Sequence, residues 1–305
     1  MSLNGVMILD KPADMSSARA VAKVKKLLGV KKIGHTGTLD PFATGVLICC
    51  INQATRLARF FLHDDKSYQA VLRLGVQTDT LDATGQPTAQ ADVPPIGEDR
   101  LSAVFSRFKG RQLQLPPVYA ALKHQGTPLY KLARRGRPVQ KPARPIEVKS
   151  IGITWIDLPD IGFELTCSSG TYVRALCADI GKAIGCGGHL ARLRRTASSG
   201  FTVDQAVTLA ALEAMDCENR LKSALMPMNS VLAEMPIFIA GPEILERITH
   251  GKRLTTEMIP SESIRKPKEQ DPVVHLKVTD VEMNLKAVLK ACTDGTNYDY
   301  CCVFH

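Results

Sequence analysis

The sequence lacks the marks of several protein classes. It has no CxxC pair and no Cys/His spacing of a zinc site, so no metal centre is expected. Its nine cysteines are an odd number, which argues against a complete disulfide framework. There is no basic-then-apolar leader, and no apolar run approaches the ~20 residues that a membrane helix needs. The expectation is a protein of a reducing cytoplasm, without membrane contact. A glycine-rich loop is present, but the Gly-Lys-Ser/Thr that would complete a phosphate-binding P-loop is missing. One long stretch also lacks acid: from Arg100 to Pro145 there are eleven Lys and Arg and no Asp or Glu.

What is present suits a folded protein. A chain of 305 residues with 45% hydrophobic content can build one large or two ordinary domains. Its net charge of +9 suits a polyanionic partner, although net charge does not say where the charge sits. Residues 5–9 (GVMIL) read as a strand, closed by Pro12. Ser16 or Ser17 then caps a helix with Val21, Val24 and Leu28 on one face, which Gly29 stops. The segment 33–45, IGHTGTLDPFATG, reads as a loop, and VLICCI (46–51) as a buried strand. Residues 68–74 alternate in the manner of a strand, residues 75–97 are turn-rich, and 161–167 read as another strand. A helix is expected from about Thr171, and one or two more over 204–226. The last 70 or so residues combine a short helix (Pro242–His250), a polar loop (Pro260–Pro272) and the alternating stretches VVHLKV and LKAVLKA, which suggest a small β domain.

The basic stretch holds LPPVYAALK and YKLARRGRPVQKPARP. Its Lys123, Arg134, Arg135 and Arg137, interleaved with Tyr119 and Tyr130, form an electrostatic footprint for nucleic acid. A disordered basic linker is the competing reading. Val118, Leu122, Leu129 and Leu132 favour an ordered insertion that clamps a ligand.

Asp40 is the residue on which chemistry converges. The Pro after it pushes its backbone toward extended geometry and offers no N–H to its carboxylate. Gly37 and Gly45 on either side permit tight turns or close approach to a ligand. A carboxylate with few local partners suits a nucleophile, although a lone loop Asp is more often a turn residue. Arg174 falls in the first turn of its helix, where a cation opposes the helix dipole, so a carboxylate partner is expected. Asp40 would serve, held ionised and oriented. Tyr68 shares a strand face with Ala70 and Leu72, and alone it reads as core. His35 alone reads as an exposed loop residue.

Six ordered motifs then add a family. KIGHTGTLDPFATGVL (Lys32–Leu47) closely resembles the signature of TruB-type pseudouridine synthases, the bacterial tRNA pseudouridine-55 synthases. LDKPADMSS, KSYQAVLRLGVQTDTLDATG, LPPVYAALK, CSSGTYVRALCADIG and GCGGHLARLRRT resemble its other motifs, over roughly the first 230 residues. Two departures stand out: Asp14 occupies a usual Gly position, and Ala120 a usual Ser position. The resemblance implies an α+β pseudouridine synthase fold, with a central mixed, mainly antiparallel sheet flanked by helices. It also implies a catalytic domain over 1–235, an RNA-clamping insertion at about 116–146, and a PUA-like C-terminal β-barrel over 236–305.

By the same resemblance Asp40 is the catalytic aspartate, Tyr68 packs on the target base, and Arg174 pairs with the aspartate. Leu193 lines the base pocket, His35 fills the space left by the flipped nucleotide, and Lys11, with Pro12 a structural pair beside the site, is grouped with them as substrate-binding. The implied reaction isomerises a uridine in the T arm of tRNA. No cofactor, metal or obligatory protein partner is implied, and the enzyme is expected to act as a monomer. Three rival readings are a non-catalytic RNA-binding protein, a glycosidase-type hydrolase, and the catalytic subunit of a guide-RNA particle as in the related dyskerin group, against which the short chain favours a stand-alone enzyme. The hydrolase would need a second carboxylate, for which Asp10 and Asp82 are candidates.

Overall fold

The computed structural model describes residues 3–217, 220–260, 262, 264, 275–293 and 295–305. Strand β1 (Gly5–Lys11) is almost wholly buried. Helix α1 (Ser17–Leu27) follows, with the Ser16 hydroxyl accepting from the Arg19 N–H as its cap. Ala20, Val21 and Val24 bury one face of α1, and Gly29, at φ +59°, turns the chain out of the helix. Between them Asp14 takes φ +56°, the left-handed conformation that favours glycine and that Asp tolerates better than most residues.

Strand β2 (Ile33–Thr36) pairs antiparallel with β3 (Thr44–Ile51). The expected loop 33–45 is therefore shorter, because its first four residues find a partner strand. After a 3-10 stretch (Asn52–Phe60) comes β4 (Lys66–Leu74), which buries alternate residues as its pattern foretold. The turn-rich region folds into a small hairpin of β5 (Val76–Thr78) and β6 (Pro87–Gln90). Helix α2 (Glu98–Ser106) and β7 (Gly110–Gln114) lead into the basic insertion. The insertion is ordered: β8 (Lys123–His124) pairs with β9 (Thr127–Pro128), and α3 (Leu129–Arg134) buries Leu129 and Ala133.

The long hairpin of β10 (Arg144–Asp157) and β11 (Asp160–Cys167) returns the chain to the sheet. Helix α4 (Val173–Ile184) starts two residues later than expected, and β12 (Gly188–Ser198) follows it. Short strands β13 (Phe201–Thr202) and β14 (Val207–Thr208) precede α5 (Leu209–Cys217). These described strands form one sheet in the order β14-β1-β3-β12-β4-β11-β10-β7, with β2 beside β3 and β13 beside β12. Only the β1–β14 and β3–β12 pairs are parallel, so the sheet is mixed and mainly antiparallel, as expected. Helices α2 and α4 cover the β4–β11–β12 side with Leu72, Phe105, Phe163, Leu176 and Ile180, while α1 and α5 cover β1 and β3.

A second sheet holds β15 (Ile237–Ile239), β16 (Leu254–Thr255), β17 (His275–Thr279), β18 (Leu285–Ala291) and β19 (Asn297–Val303). Its order is β15-β17-β18-β19-β16, a half-barrel, with α6 (Pro242–Thr249) beside it. Most of the expected polar loop Pro260–Pro272 lies outside the described residues, as do Val273 and Val274 of VVHLKV. Leu285, Val288, Cys302 and Phe304 pack on Val6, Ile8, Ile48 and Leu57, so this sheet shares a core with the first. Gln53 adds polar attachment, donating to the His305 carbonyl and accepting its N–H.

Candidate active site

Asp40 lies on the loop between β2 and β3, and that loop is pinned along its length. Ser17 Oγ accepts from the Leu39 N–H at 2.8 Å and donates to the Leu39 carbonyl at 3.0 Å. Lys11 Nζ donates to the carbonyls of Pro12 (2.7 Å), Met15 (2.7 Å) and Pro41 (3.2 Å). Lys11 has no exposed surface, and burial lowers its pKa to about 8. It therefore acts on the loop backbone, and its ammonium is spent on carbonyls rather than turned toward a ligand. In this placement Lys11 supports the Asp40 loop from beneath.

The Asp40 carboxylate meets Arg174 twice, with Oδ2 2.9 Å from Nε and Oδ1 3.3 Å from Nη2. The expected partnership thus forms across 134 residues of sequence. Arg174 is 4% exposed and Asp40 33%, so the arginine sits behind a carboxylate that still reaches the surface. Arg174 also donates to the carbonyls of Thr80 (2.9 Å) and Tyr119 (3.2 Å), and its Nη1 lies 3.4 Å from Asp82 Oδ2. Burial raises the Asp40 pKa above the ordinary carboxylate range, Arg174 opposes that rise, and nearby Asp82 adds to it.

Asp82 carries more than its motif suggested. Its Oδ1 accepts from the hydroxyls of Thr80 (2.8 Å) and Thr84 (2.6 Å) and from the Thr84 N–H (3.0 Å). It is a buried brace for Arg174, with both carboxylate oxygens facing donors. Asp10 is likewise engaged, in a two-point pair with Arg194 at 2.8 and 3.1 Å. Neither is presented beside Asp40 as the exposed acid a glycosidase needs.

Tyr68, on β4, is 7% exposed and packs in one cluster with Leu39, Ala43 and Leu193. Burial raises its pKa, and Arg195 works against that rise. Leu193 is on β12, paired with Ala70 of β4. The structure thus joins Asp40, Arg174, Tyr68 and Leu193 in one region. His35 is on β2, partly buried rather than an exposed loop residue, with its Nδ1 buried and unbonded and its pKa lowered by burial. Lys123, Arg134, Arg135 and Arg137 project from the insertion and are exposed. Arg134 also lies over the Tyr130 ring, 5.8 Å from its centroid.

Two further residues went unassigned in the sequence. Arg195, given no role within the GCGGHLARLRRT motif, is 1% exposed. The available signal was strand alternation: two residues after an inward Leu193, it faces the same way. Tyr119, read only as part of the basic footprint, also gives its carbonyl to Arg174. Among the described residues no group of three His, Cys, Asp or Glu side chains could hold a metal ion, and no helix is long and apolar enough to cross a membrane.

Comparison with known proteins agrees with this arrangement. The family model described as TruB family pseudouridylate synthase (N terminal domain) matches residues 25–173. The model for the tRNA pseudouridylate synthase B C-terminal domain matches residues 174–233. A tRNA pseudouridine synthase B of Burkholderia pseudomallei (strain 668) is 44% identical over 253 residues, covering 83% of each chain. One from Syntrophotalea carbinolica is 43% identical over 257 residues, covering 84% of each. Among solved structures, a Cbf5-Nop10-Gar1 complex matches with a TM-score of 0.74 and 26% identity, over 99% of this chain and 85% of that one. An H/ACA RNP bound to a substrate RNA containing 2'-deoxyuridine matches with a TM-score of 0.72, at 26% identity and over 99% and 85%. On these matches, the chain belongs to the TruB family of pseudouridylate synthases.

Proposed function

We propose that this protein is an isomerase that converts a uridine of tRNA into pseudouridine, acting in the T loop at position 55. The observation that carries the reading is the Asp40–Arg174 pair, with Tyr68 and Leu193 beside it. Taking charges out of water costs several kcal/mol per ion, which a mere binding surface has no reason to spend. A protein that only held RNA would need the exposed basic insertion and not this braced carboxylate.

The reaction breaks the N1–C1′ bond, turns the base and forms a C5–C1′ bond. The proton leaves C5 and N1 gains one, so no atom is lost and no electron is exchanged. Asp40 either attacks C1′ or removes a ribose proton to give a glycal. Arg174 keeps the carboxylate oriented and charged. Tyr68 and Leu193 receive the base once it has left the stack, a step costing a few kcal/mol. His35 takes the space that the nucleotide leaves. Lys123, Arg134, Arg135 and Arg137 contact phosphates and supply the binding energy for flipping.

We take residues 1–235 as the catalytic unit and 236–305 as a PUA-like unit, in a monomer that needs no protein partner. No cysteine is in a disulfide, which suits a reducing cytoplasm. The test is incubation with unmodified tRNA followed by mapping of pseudouridine. Product at the T-loop uridine is expected. Product only elsewhere would overturn the substrate, and none in any tRNA would overturn the activity.

A further inference from the structure

The loop that carries Asp40 is closed at both ends by one side chain. Arg195 Nε donates to the Val46 carbonyl at 2.7 Å, and its Nη2 donates to the Gly37 carbonyl at 3.0 Å. Gly37 is where the chain leaves β2, and Val46 lies in β3 just after the loop. The same guanidinium lies near enough to the Tyr68 side chain to oppose the rise that burial gives its pKa. Arg195 stands directly between the two strands concerned, opposite Gly45 of β3 on one side and Tyr68 of β4 on the other.

The fit is close. Gly45 has φ +102°, and a Cβ there would lie 2.1 Å from the Arg195 carbonyl oxygen, so only glycine lets β3 approach. Among the described residues no carboxylate lies within ion-pair reach of Arg195. A buried cation without an anion is costly unless its N–H groups are well satisfied. Its directed donors are therefore its role, which the neutralisation of a nearby charge cannot explain.

We infer that Arg195 is a positioning residue that fixes Asp40 and Tyr68 relative to each other, by bridging both ends of the Asp40 loop from the strand position opposite Tyr68. This rests on the proposed isomerase reading and deepens it. Lys11 and Ser17 secure the middle of the loop, whereas Arg195 ties the loop to the strand bearing Tyr68. A misplacement near 1 Å can cost about 10²-fold in rate, so removing the bridge reduces turnover without removing any group that touches substrate.

Arg195→Lys tests this. Lysine keeps the charge, but one ammonium on a simple stem cannot reproduce the planar fork that spans two carbonyls. The expected result is a kcat about 10²-fold lower, with KM and tRNA affinity within about threefold, measured below the variant's melting temperature. A kcat within about threefold of the unaltered enzyme, or a loss confined to KM, would overturn the inference. Pseudouridine formation by the unaltered enzyme in the same assay shows the functional reading intact, so an undiminished variant counts against Arg195 alone. If the variant does not fold, NMR of the unaltered chain labelled with 15N-arginine decides. A guanidinium Nε–H with slow exchange and contacts to Gly37, Val46 and Tyr68 is expected, and its absence overturns the bridge.

Discussion

Two sets of cations divide the labour in this molecule. Lys11, Arg174 and Arg195 are buried and give their donors to named carbonyls and carboxylates around Asp40. Lys123, Arg134, Arg135 and Arg137 are exposed on the insertion. The buried set is bound to fixed partners and defines a geometry. The exposed set is hydrated, and it suits a polyanion of varied shape. The same residue types thus shape the site in one region and present exposed positive charge in the other.

The largest expected break in this comparison is at Asp40 itself. Asp40→Asn should lower kcat by about 10⁴-fold or more, as removal of one member of a catalytic unit does, and leave tRNA affinity within a few-fold. Next is Arg174→Met, which leaves the buried Asp82 carboxylate without its cation. A destabilisation of about 3–5 kcal/mol, read from denaturant unfolding, is expected for such a broken pair. Asp82→Asn should soften that effect, because it removes one of the two carboxylates that the change strands.

A smaller effect comes from pH. Burial foremost raises the Asp40 pKa, so the reactive carboxylate is depleted at a pH where an ordinary aspartate stays ionised. The acid limb of kcat should therefore lie above the usual carboxylate value. The same raised value makes Asp40 favour folding when protonated, a contribution lost as pH rises through its folded pKa. Lys11 sets the other limb. Its pKa is near 8, and the neutral amine has two N–H groups for three carbonyls, so turnover should fall above that pH. Between about 8 and 10.5 the unfolded chain binds more protons at this site, so the Lys11 contribution to stability rises with pH even as turnover declines. A pH–rate profile paired with melts at each pH checks both signs.

The smallest effects belong to the insertion. Each single change among Lys123, Arg134, Arg135 and Arg137 to Gln should weaken tRNA binding modestly. Where the altered side chain neutralises a phosphate, the slope of log affinity against log salt should also become shallower by about 0.7–0.9. A salt titration of binding gives the number of such phosphates directly.

The contrast between the two sets also explains what the sequence revealed. Strands with strict alternation, such as Lys66–Leu74, and the capped helix after Ser16 were legible because their signals are local. Residues 33–36 read as loop because the three glycines and one proline of 33–45 outweigh a pairing with β3 that only the folded chain supplies. The short strand Ile237–Ile239 and the irregular Asn297–Val303 gave no clear period. Asp40 and Arg174 were recognisable from motif chemistry, and their pairing was a sound guess from the helix dipole. Arg195 was hidden because sequence shows charge and not direction. Lys11 was visible as a motif residue, but its three carbonyl partners come from turns that fold around it. Asp14 stands where the resemblance expects glycine, and at φ +56° it takes the left-handed conformation that glycine adopts most readily.

The central claim is that the braced carboxylate performs the isomerisation while the exposed basic side chains deliver the RNA. The most direct measurement is a single-turnover time course at saturating unmodified tRNA, with a binding isotherm, for Asp40→Asn and for the fourfold insertion variant side by side. The account expects Asp40→Asn to bind normally and form no pseudouridine, and the insertion variant to bind weakly yet form product once saturated. Product from Asp40→Asn at the unaltered rate, or normal tRNA affinity in the insertion variant, would contradict it.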